Sequence, residues 1–330
     1  MIKKNLEKKS VLKIEDLNLS LIQDQKEIPI LINISFEIFE GEVFSIAGES
    51  GCGKSLTSLA ITKILPTQSF VYKKGKILLN NEDLLKSSDS EISKIRGKEI
   101  SYIFQDPFSS LNPLKKIKNQ IIESYLIHIS NNEKEALEKA EFLLNKIGIT
   151  DIKARLESYP NQMSGGILQR ILIASALMCN PKLLIADEPT SALDVTIQAQ
   201  LVELLISIQK ETNMAILFIS HDLPLISSLS NRIAIMYAGQ IIEIGDSKKI
   251  ISSPSHPYTK ALIDSIPNGL NTKEKKLSII DGIVPAPINY PLGCHFYERC
   301  KHRFEKCLSN KPDLFKVNAN QSSACFLKEK

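Results

Sequence analysis

The sequence predicts an α/β fold built on a mostly parallel sheet with helices on its faces. Residues 48–55 read G-E-S-G-C-G-K-S, a glycine-rich pattern that follows a short apolar run and must open a helix. Residues 183–190 read L-L-I-A-D-E-P-T, an apolar strand ending in two carboxylates. Further short apolar runs at 77–79, 100–104, 215–219 and 233–236 suit strands buried on both faces, as in a sheet covered by helices.

Along the chain, residues 11–19 alternate loosely and read as a strand. Residues 31–39 alternate more clearly, with Leu31, Asn33, Ser35 and Glu37 on one face and Ile32, Ile34, Phe36 and Ile38 on the other. Gly41 ends that strand, and 43–47 is a short apolar strand feeding the glycine-rich loop. The helix after the loop keeps its spacing through 58–65 until Pro66 stops it. The character changes between Asp106 and Pro181. Pro107 and Pro113 mark an irregular stretch, and 133–147 then places Leu137, Ala140, Leu143, Leu144 and Ile147 on one helical face. Residues 167–178 form a second apolar helix. This predicts a helical subdomain, about 106–181, inserted between the loop half and the carboxylate half. From 246 onward Pro, Lys and Ser are frequent and strand-like runs few. The predicted organisation is a main domain, 1–245, and a small C-terminal appendage, 246–330, with no internal repeat.

The net charge of +4 is too small to argue for nucleic acid. The basic N-terminus is not followed by an apolar segment of signal-peptide type, and no stretch approaches 18 consecutive apolar residues. The expectation is a cytoplasmic protein whose membrane attachment comes through partners.

The loop residues Gly48, Glu49, Ser50, Gly51, Cys52, Gly53, Lys54, Ser55 and Leu56 are read as an ATP-binding element. Backbone N–H groups at a helix start receive phosphate oxygens, Lys54 reaches the β/γ-phosphates, and the Ser55 hydroxyl sits on Mg²⁺. Asp187, ending a strand, orients Mg²⁺, and Glu188 polarises the attacking water as general base. A solvated D-E pair at a strand end is the bland alternative, and the co-occurring phosphate loop speaks against it. Ser164, Gly165 and Gly166 precede an apolar helix that Ser164 can cap, and the free N–H groups there can receive phosphate oxygens. Alone, S-G-G is only a turn and helix start. His221 follows the apolar strand 215–219, at the kind of strand end where ligands lie.

Cys52, at a helix N-terminus, is in an environment that lowers a thiol pKa, although filling a variable loop position is the preferred reading. Cys294, Cys300, Cys307 and Cys325 crowd near the C-terminus with spacing C-x₅-C-x₆-C-x₁₇-C. Without a secretion signal, such a cluster points to metal rather than disulfides. Neither close gap fits the C-x₂₋₄-C of zinc sites, and the spacing matches neither common ferredoxin pattern. A [4Fe–4S] cluster, Zn²⁺ and unligated thiols all stay open, with His295 and His302 as spare ligands. The appendage is expected to stand apart from the phosphate loop, so that losing its cysteines spares ATP binding.

The order phosphate loop, Gln105, S-G-G-x-x-Q-R, D-E-P-T, S-A-L-D and S-H-D resembles the ATP-binding-cassette (ABC) ATPases across residues 11–245. The resemblance implies a P-loop ABC core with an antiparallel N-terminal β subdomain. It implies that Gln105 contacts Mg²⁺ and the attacking water and senses a membrane partner. It further implies that Ser164, Gly165 and Gly166 touch the γ-phosphate held by a second subunit, that Asp194 links the sites of a head-to-tail dimer, and that His221 holds the γ-phosphate. Two positions depart from the pattern: Ile167 after S-G-G, and Leu21 where an aromatic residue commonly stacks on adenine.

H-P-Y-T-K-A-L at 256–262, I-V-P at 283–285 and the four cysteines look like the C-terminal region of dipeptide/oligopeptide/nickel importer ATPases. D-V-T-I-Q-A-Q at 194–200 and M-Y-A-G-Q-I-I-E-I-G-D at 236–246 strengthen the match, while the H-P-Y-T block itself suggests no chemistry. The family implies a [4Fe–4S] cluster on the cysteines, Zn²⁺ being the alternative. It also implies an ATP-hydrolysing subunit at the cytoplasmic face of the cell membrane, energising import of peptides or a related solute. Implied partners are a second ABC ATPase subunit, two membrane permease subunits and an extracytoplasmic solute-binding protein. The runner-up, a soluble ABC-type ATPase acting on DNA or ribosomes, lacks the long heptad insert or second cassette it needs. Intact Lys54, Asp187 and Glu188 oppose an inactive regulatory module.

Overall fold

The computed structural model describes residues 9–191, 195–266 and 280–329. The described strands are β1 (Ser10–Gln23), β2 (Lys26–Phe39), β3 (Val43–Ala47), β4 (Phe70–Leu79), β5 (Glu82–Asp83), β6 (Ile100–Ile103), β7 (Leu183–Asp187), β8 (Ala215–Ile219), β9 (Arg232–Tyr237), β10 (Gln240–Asp246), β11 (Phe315–Asn318) and β12 (Gln321–Ser323). Two compact units draw on alternating stretches of chain. One comprises the chain up to Leu12, Ile38–Glu42 and Leu79–Ile219; the other comprises Lys13–Glu37, Val43–Leu78 and the chain from Ser220.

In the N-terminal sheet β1 lies between β2 and β4. Asp24 and Gln25 join β1 to β2 with φ of 49° and 61°, the two-residue left-handed turn that reverses a strand into an antiparallel neighbour. The expected alternation along β2 holds only after Asn33. There Ile34, Phe36 and Ile38 are buried, but before it Leu31, not Ile32, faces the core. Asn33 has a φ of 52°, a local irregularity that switches faces. Asn18 holds it, accepting the Asn33 N–H at 3.2 Å and donating to its Oδ1 at 3.0 Å.

In the unit containing the phosphate loop, β3 runs parallel to β9, pairing Phe44 with Arg232 and Ala47 with Ile235, and is buried throughout. β10 returns antiparallel to β9 through a turn at Ala238 and Gly239, both with positive φ. β12 then pairs antiparallel with β10, and β11 with β12. Apolar periodicity could not reveal β12, because its sequence is Gln-Ser-Ser. It is held by polar bonds instead. The fully buried carboxylate of Glu243 accepts hydrogen bonds from the backbone of Ser255 and His256 and, at 2.7 Å, from the Gln321 amide. A buried carboxylate satisfied in this way fixes one arrangement, since an unmet partner is costly.

The other unit holds β6, β7 and β8, parallel in that order, with Ile100 beside Leu183 and Leu183 beside Ala215. Every residue of β7 and β8 is buried, as expected for strands covered on both faces. Helices at Glu133–Lys146 and Gly165–Leu177 lie in the same unit. The first is capped by Asn132, which accepts from the N–H groups of Lys134 and Glu135, and it buries Ala136 rather than Leu137 beside Ala140, Leu143 and Leu144. The helix after the phosphate loop, Lys54–Ile61, stops before Pro66 because Lys63 adopts a left-handed φ of 50°. No described helix is long and apolar enough to cross a membrane.

Candidate active site

The phosphate loop leaves buried β3 and enters the helix Lys54–Ile61. Two of its glycines are required by geometry. A Cβ at Gly48 would overlap the Met236 carbonyl oxygen, and Gly53, with φ of 107°, has no space beside Leu31. Lys54 is 5% exposed and its ammonium donates to the carbonyl oxygens of Gly48 and Glu49 at 2.9 and 3.0 Å, which draws it back over the loop. Ser55 follows in the first turn, and the helix start supplies the partial positive charge suited to an anion. Cys52 agrees with the preferred reading of a loop filler rather than with a lowered thiol pKa. It is fully buried, and desolvation raises its thiol pKa against the opposing pull of Lys54, so it is not an activated thiol.

Glu49 is gripped by residues that sequence reasoning missed. Its backbone N–H donates to the Tyr258 hydroxyl at 3.0 Å, and its carboxylate accepts from both terminal nitrogens of Arg299 at 3.2 Å. Tyr258 belongs to the H-P-Y-T block, which therefore has a chemistry. His256, kept neutral by burial with a pKa lowered to about 3, caps the helix Pro257–Asp264 by accepting the Tyr258 N–H at Nδ1. Tyr258 packs with Tyr237 and Phe296, and the Arg299 guanidinium lies over the Tyr237 ring. The expectation that the appendage stands apart from the phosphate loop is thus overturned: two of its residues hold the loop. In the same unit His221 is exposed between Ser220, whose N–H bonds to Ile46, and Asp222, which caps the helix Leu223–Leu229.

In the other unit the carboxylates and Gln105 come together. Asp187, at the end of β7, is 5% exposed, and its Oδ2 accepts from the Tyr102 hydroxyl at 2.8 Å. Tyr102 was not singled out from sequence; its signal is the β6–β7 pairing, which sets it opposite Ile185, two residues before Asp187. Glu188 has a left-handed φ of 46°, unusual for a residue with a side chain. The conformation is over-determined. Its N–H bonds to the Ile219 carbonyl at 2.9 Å, its carbonyl accepts from the Ser191 backbone and hydroxyl, and its Oε2 accepts from the Gln105 amide at 3.1 Å. Such strain, held by surrounding bonds, is characteristic of functional sites.

Ser164 takes the N-cap position of the helix Gly165–Leu177, but its side chain makes no capping bond, contrary to the expected cap. Gly165 lies against the Phe108 ring, and Arg170 donates to the Ile147 carbonyl at 2.6 Å and to Gln200. Asp194 lies outside the described residues.

Cys294, Cys300, Cys307 and Cys325 line one small pocket together with Phe296, Phe304 and Phe326. None is in a disulfide. Burial raises the thiol pKa of Cys294, to about 12, and those of Cys300 and Cys325. Among the described residues no group of three or more His, Cys, Asp or Glu side chains is gathered to hold a metal ion, so neither the iron–sulfur nor the zinc expectation is supported. The ring Nδ1 of His295 bonds to the Ala238 carbonyl at 2.7 Å, and its buried Nε2 has no hydrogen-bond partner among the described residues.

The family model for ABC transporters matches residues 31–191, and that for the C-terminal region of oligopeptide/dipeptide transporters matches residues 242–307. The dipeptide transport ATP-binding protein DppD of Bacillus subtilis is 42% identical over 319 residues, covering 97% of this chain and 95% of that one. The chain belongs to the ABC transporter ATP-binding family. DppD of Escherichia coli is 40% identical over 96% of both chains. Among solved structures, a dimeric ATP-binding cassette in a post-hydrolysis state with ADP and phosphate aligns at a TM-score of 0.65 and 26% identity, over 72% of this ABC ATPase and 98% of that chain. CbiO1 of Clostridium perfringens, part of an ABC transporter complex, aligns at 0.64 and 27% identity, over 74% and 92%. Nothing in these comparisons favours action on DNA or ribosomes.

Proposed function

We propose that this ABC ATPase hydrolyses ATP to energise the import of peptides through a membrane transporter. The observation that carries the chemistry is Glu188, locked by Gln105 and Ser191 directly after the buried Asp187. The peptide cargo rests on the relatives' names, which specify dipeptide and oligopeptide transport, together with their near full-length match.

In this reading residues 48–56 bind the ATP phosphates through backbone N–H groups and the Lys54 ammonium. Ser55, Gln105 and Asp187 are assigned to Mg²⁺, which when bound neutralises phosphate charge. The buried Asp187 carboxylate, pinned by Tyr102, has the hard oxygen donors that ion takes. Glu188 removes a proton from the attacking water, Gln105 holds the Glu188 carboxylate in place, and His221 steadies the γ-phosphate. Ser164, Gly165 and Gly166 act on nucleotide held by a second ATPase subunit, for which the unbonded Ser164 side chain and the helix N-terminus are suited, and Asp194 links the two sites. The main domain would be 1–245, with 106–181 facing two membrane permeases and 246–330 as the appendage. An extracytoplasmic solute-binding protein delivers cargo, and the subunit sits peripherally on the cytoplasmic face.

The four cysteines would hold a [4Fe–4S] cluster, which supplies bonds that tie the appendage together. What supports this reading is that the four thiols line one pocket together with Phe296, Phe304 and Phe326.

The test is reconstitution of the full transporter in vesicles. Peptide presented with the solute-binding protein should raise ATP hydrolysis and accumulate inside. Stimulation by DNA or ribosomes, with none by peptide, would overturn the assignment.

A further inference from the structure

Glu49 puts a carboxylate inside a loop built to receive a polyanion. Left alone, that charge would oppose phosphate binding. It is not left alone. The Arg299 fork meets both carboxylate oxygens, and the pair is unequally sheltered, with side-chain exposures of 7% for Arg299 and 29% for Glu49. The remaining Arg299 donors are used too: Nε bonds to the Asp281 carbonyl at 2.8 Å, and the terminal nitrogens also reach the Ile280 carbonyl and the Tyr237 hydroxyl. A guanidinium held this completely is a fixed positive charge rather than a roaming surface one. Tyr258, fully buried, anchors the Glu49 backbone N–H.

We propose that Arg299 and Tyr258 are positioning residues for nucleotide: they clamp Glu49, cancel its charge and hold the phosphate loop in its binding shape. The inference rests on the nucleotide-binding reading above and adds to it a brace outside the phosphate-loop motif. Because Arg299 directly precedes Cys300, the brace is continuous with the cysteine-lined pocket. A loop that is set only part of the time binds more weakly in proportion to the fraction set. Removing Arg299 should act twice, by freeing the loop and by exposing a carboxylate to the triphosphate.

The experiment titrates full-length protein with trinitrophenyl-ATP and Mg²⁺. Arg299→Met should weaken binding about tenfold, as for a loop set about a tenth of the time. Adding Glu49→Gln to Arg299→Met should recover part of the loss, because the uncompensated charge is gone while the loop stays unclamped. Tyr258→Phe, which keeps the ring, should weaken binding by about threefold, the scale of one modest hydrogen bond. In the hydrolysis assay KM should rise while kcat stays within about twofold. A purely structural role would lower the melting temperature without moving affinity, and Glu49→Gln would rescue nothing.

Folded Arg299→Met protein that binds as tightly as the unsubstituted chain would overturn the proposal, as would a double variant weaker than the single. Should Arg299→Met fail to fold, Arg299→Lys, which keeps the charge but loses the fork, takes its place beside Tyr258→Phe. Native affinity in both would sink the idea. Failure of the unsubstituted chain to bind Mg–ATP would instead defeat the function proposed above.

Discussion

Glu49 in the phosphate loop is held by partners 209 and 250 positions further along the chain, Tyr258 and Arg299. Glu188 takes its side-chain partner, Gln105, from 83 positions away, and its carbonyl partner Ser191 is three residues on. The first is a charge neutralised by an opposite charge. The second accepts a hydrogen bond from a neutral amide and sits on a strained backbone. On the function proposed above, Glu188 is to accept a proton and Glu49 is not to repel phosphate, and pairing with a guanidinium suits only the second. The same residue type therefore carries opposite requirements in the two regions, and the surroundings differ accordingly.

The largest effect that would separate the regions comes from the carboxylate side. Glu188→Gln should slow hydrolysis by roughly 10²–10⁴-fold, the usual worth of a general base, while ATP affinity is retained. Single-turnover hydrolysis beside an equilibrium titration measures both. A variant that hydrolyses at the native rate would show that Gln105 holds Glu188 for some other purpose.

Tyr102 sharpens the comparison further. Loss of its hydroxyl in Tyr102→Phe leaves Asp187 less firmly oriented and should raise the Mg²⁺ concentration for half-maximal hydrolysis by about 10–100-fold, the range for groups that orient a metal ligand. An unchanged Mg²⁺ requirement would remove Asp187 from that role or Tyr102 from its support.

The smallest effect tests the phosphate-loop side through the appendage. Cys307→Ser should loosen the cysteine-lined pocket and, through the Cys300–Arg299 link, weaken ATP binding by about threefold, as a partial loss of the set loop. The loss should vanish in an Arg299→Met background, since the two changes act on one brace. Additive losses would mean that the pocket and the loop are independent.

Much of this was legible in the residues. The glycine-rich loop, the buried strand before D-E-P-T and the strands β3, β7 and β8 announce themselves, because apolar runs and glycine-rich turns are local properties of sequence. The motif residues Lys54, Asp187, Glu188 and Gln105 could all be named in advance, and the structure bonds Gln105 to Glu188. What the chain by itself could not disclose depends on distant partners. The polar strand β12 is held by backbone pairing to β10 and by the Gln321 amide, which meets the buried Glu243. Cys52 stands at a helix start that favours thiolate, yet complete burial reverses the shift. Asn33 turns the face of β2 through a bond to Asn18 on the neighbouring strand. Arg299 carried no motif, and the H-P-Y-T block that holds Tyr258 suggested no chemistry, for an ion pair or a hydroxyl contact across hundreds of residues leaves no periodicity to read. Sequence by itself marked the glycine-rich loop and the carboxylates that follow a buried strand, since both are contiguous in the chain. Only the tertiary structure decided which partners these charges meet, Arg299 for Glu49 and Gln105 for Glu188, because desolvation and pairing are set by whatever folding brings alongside.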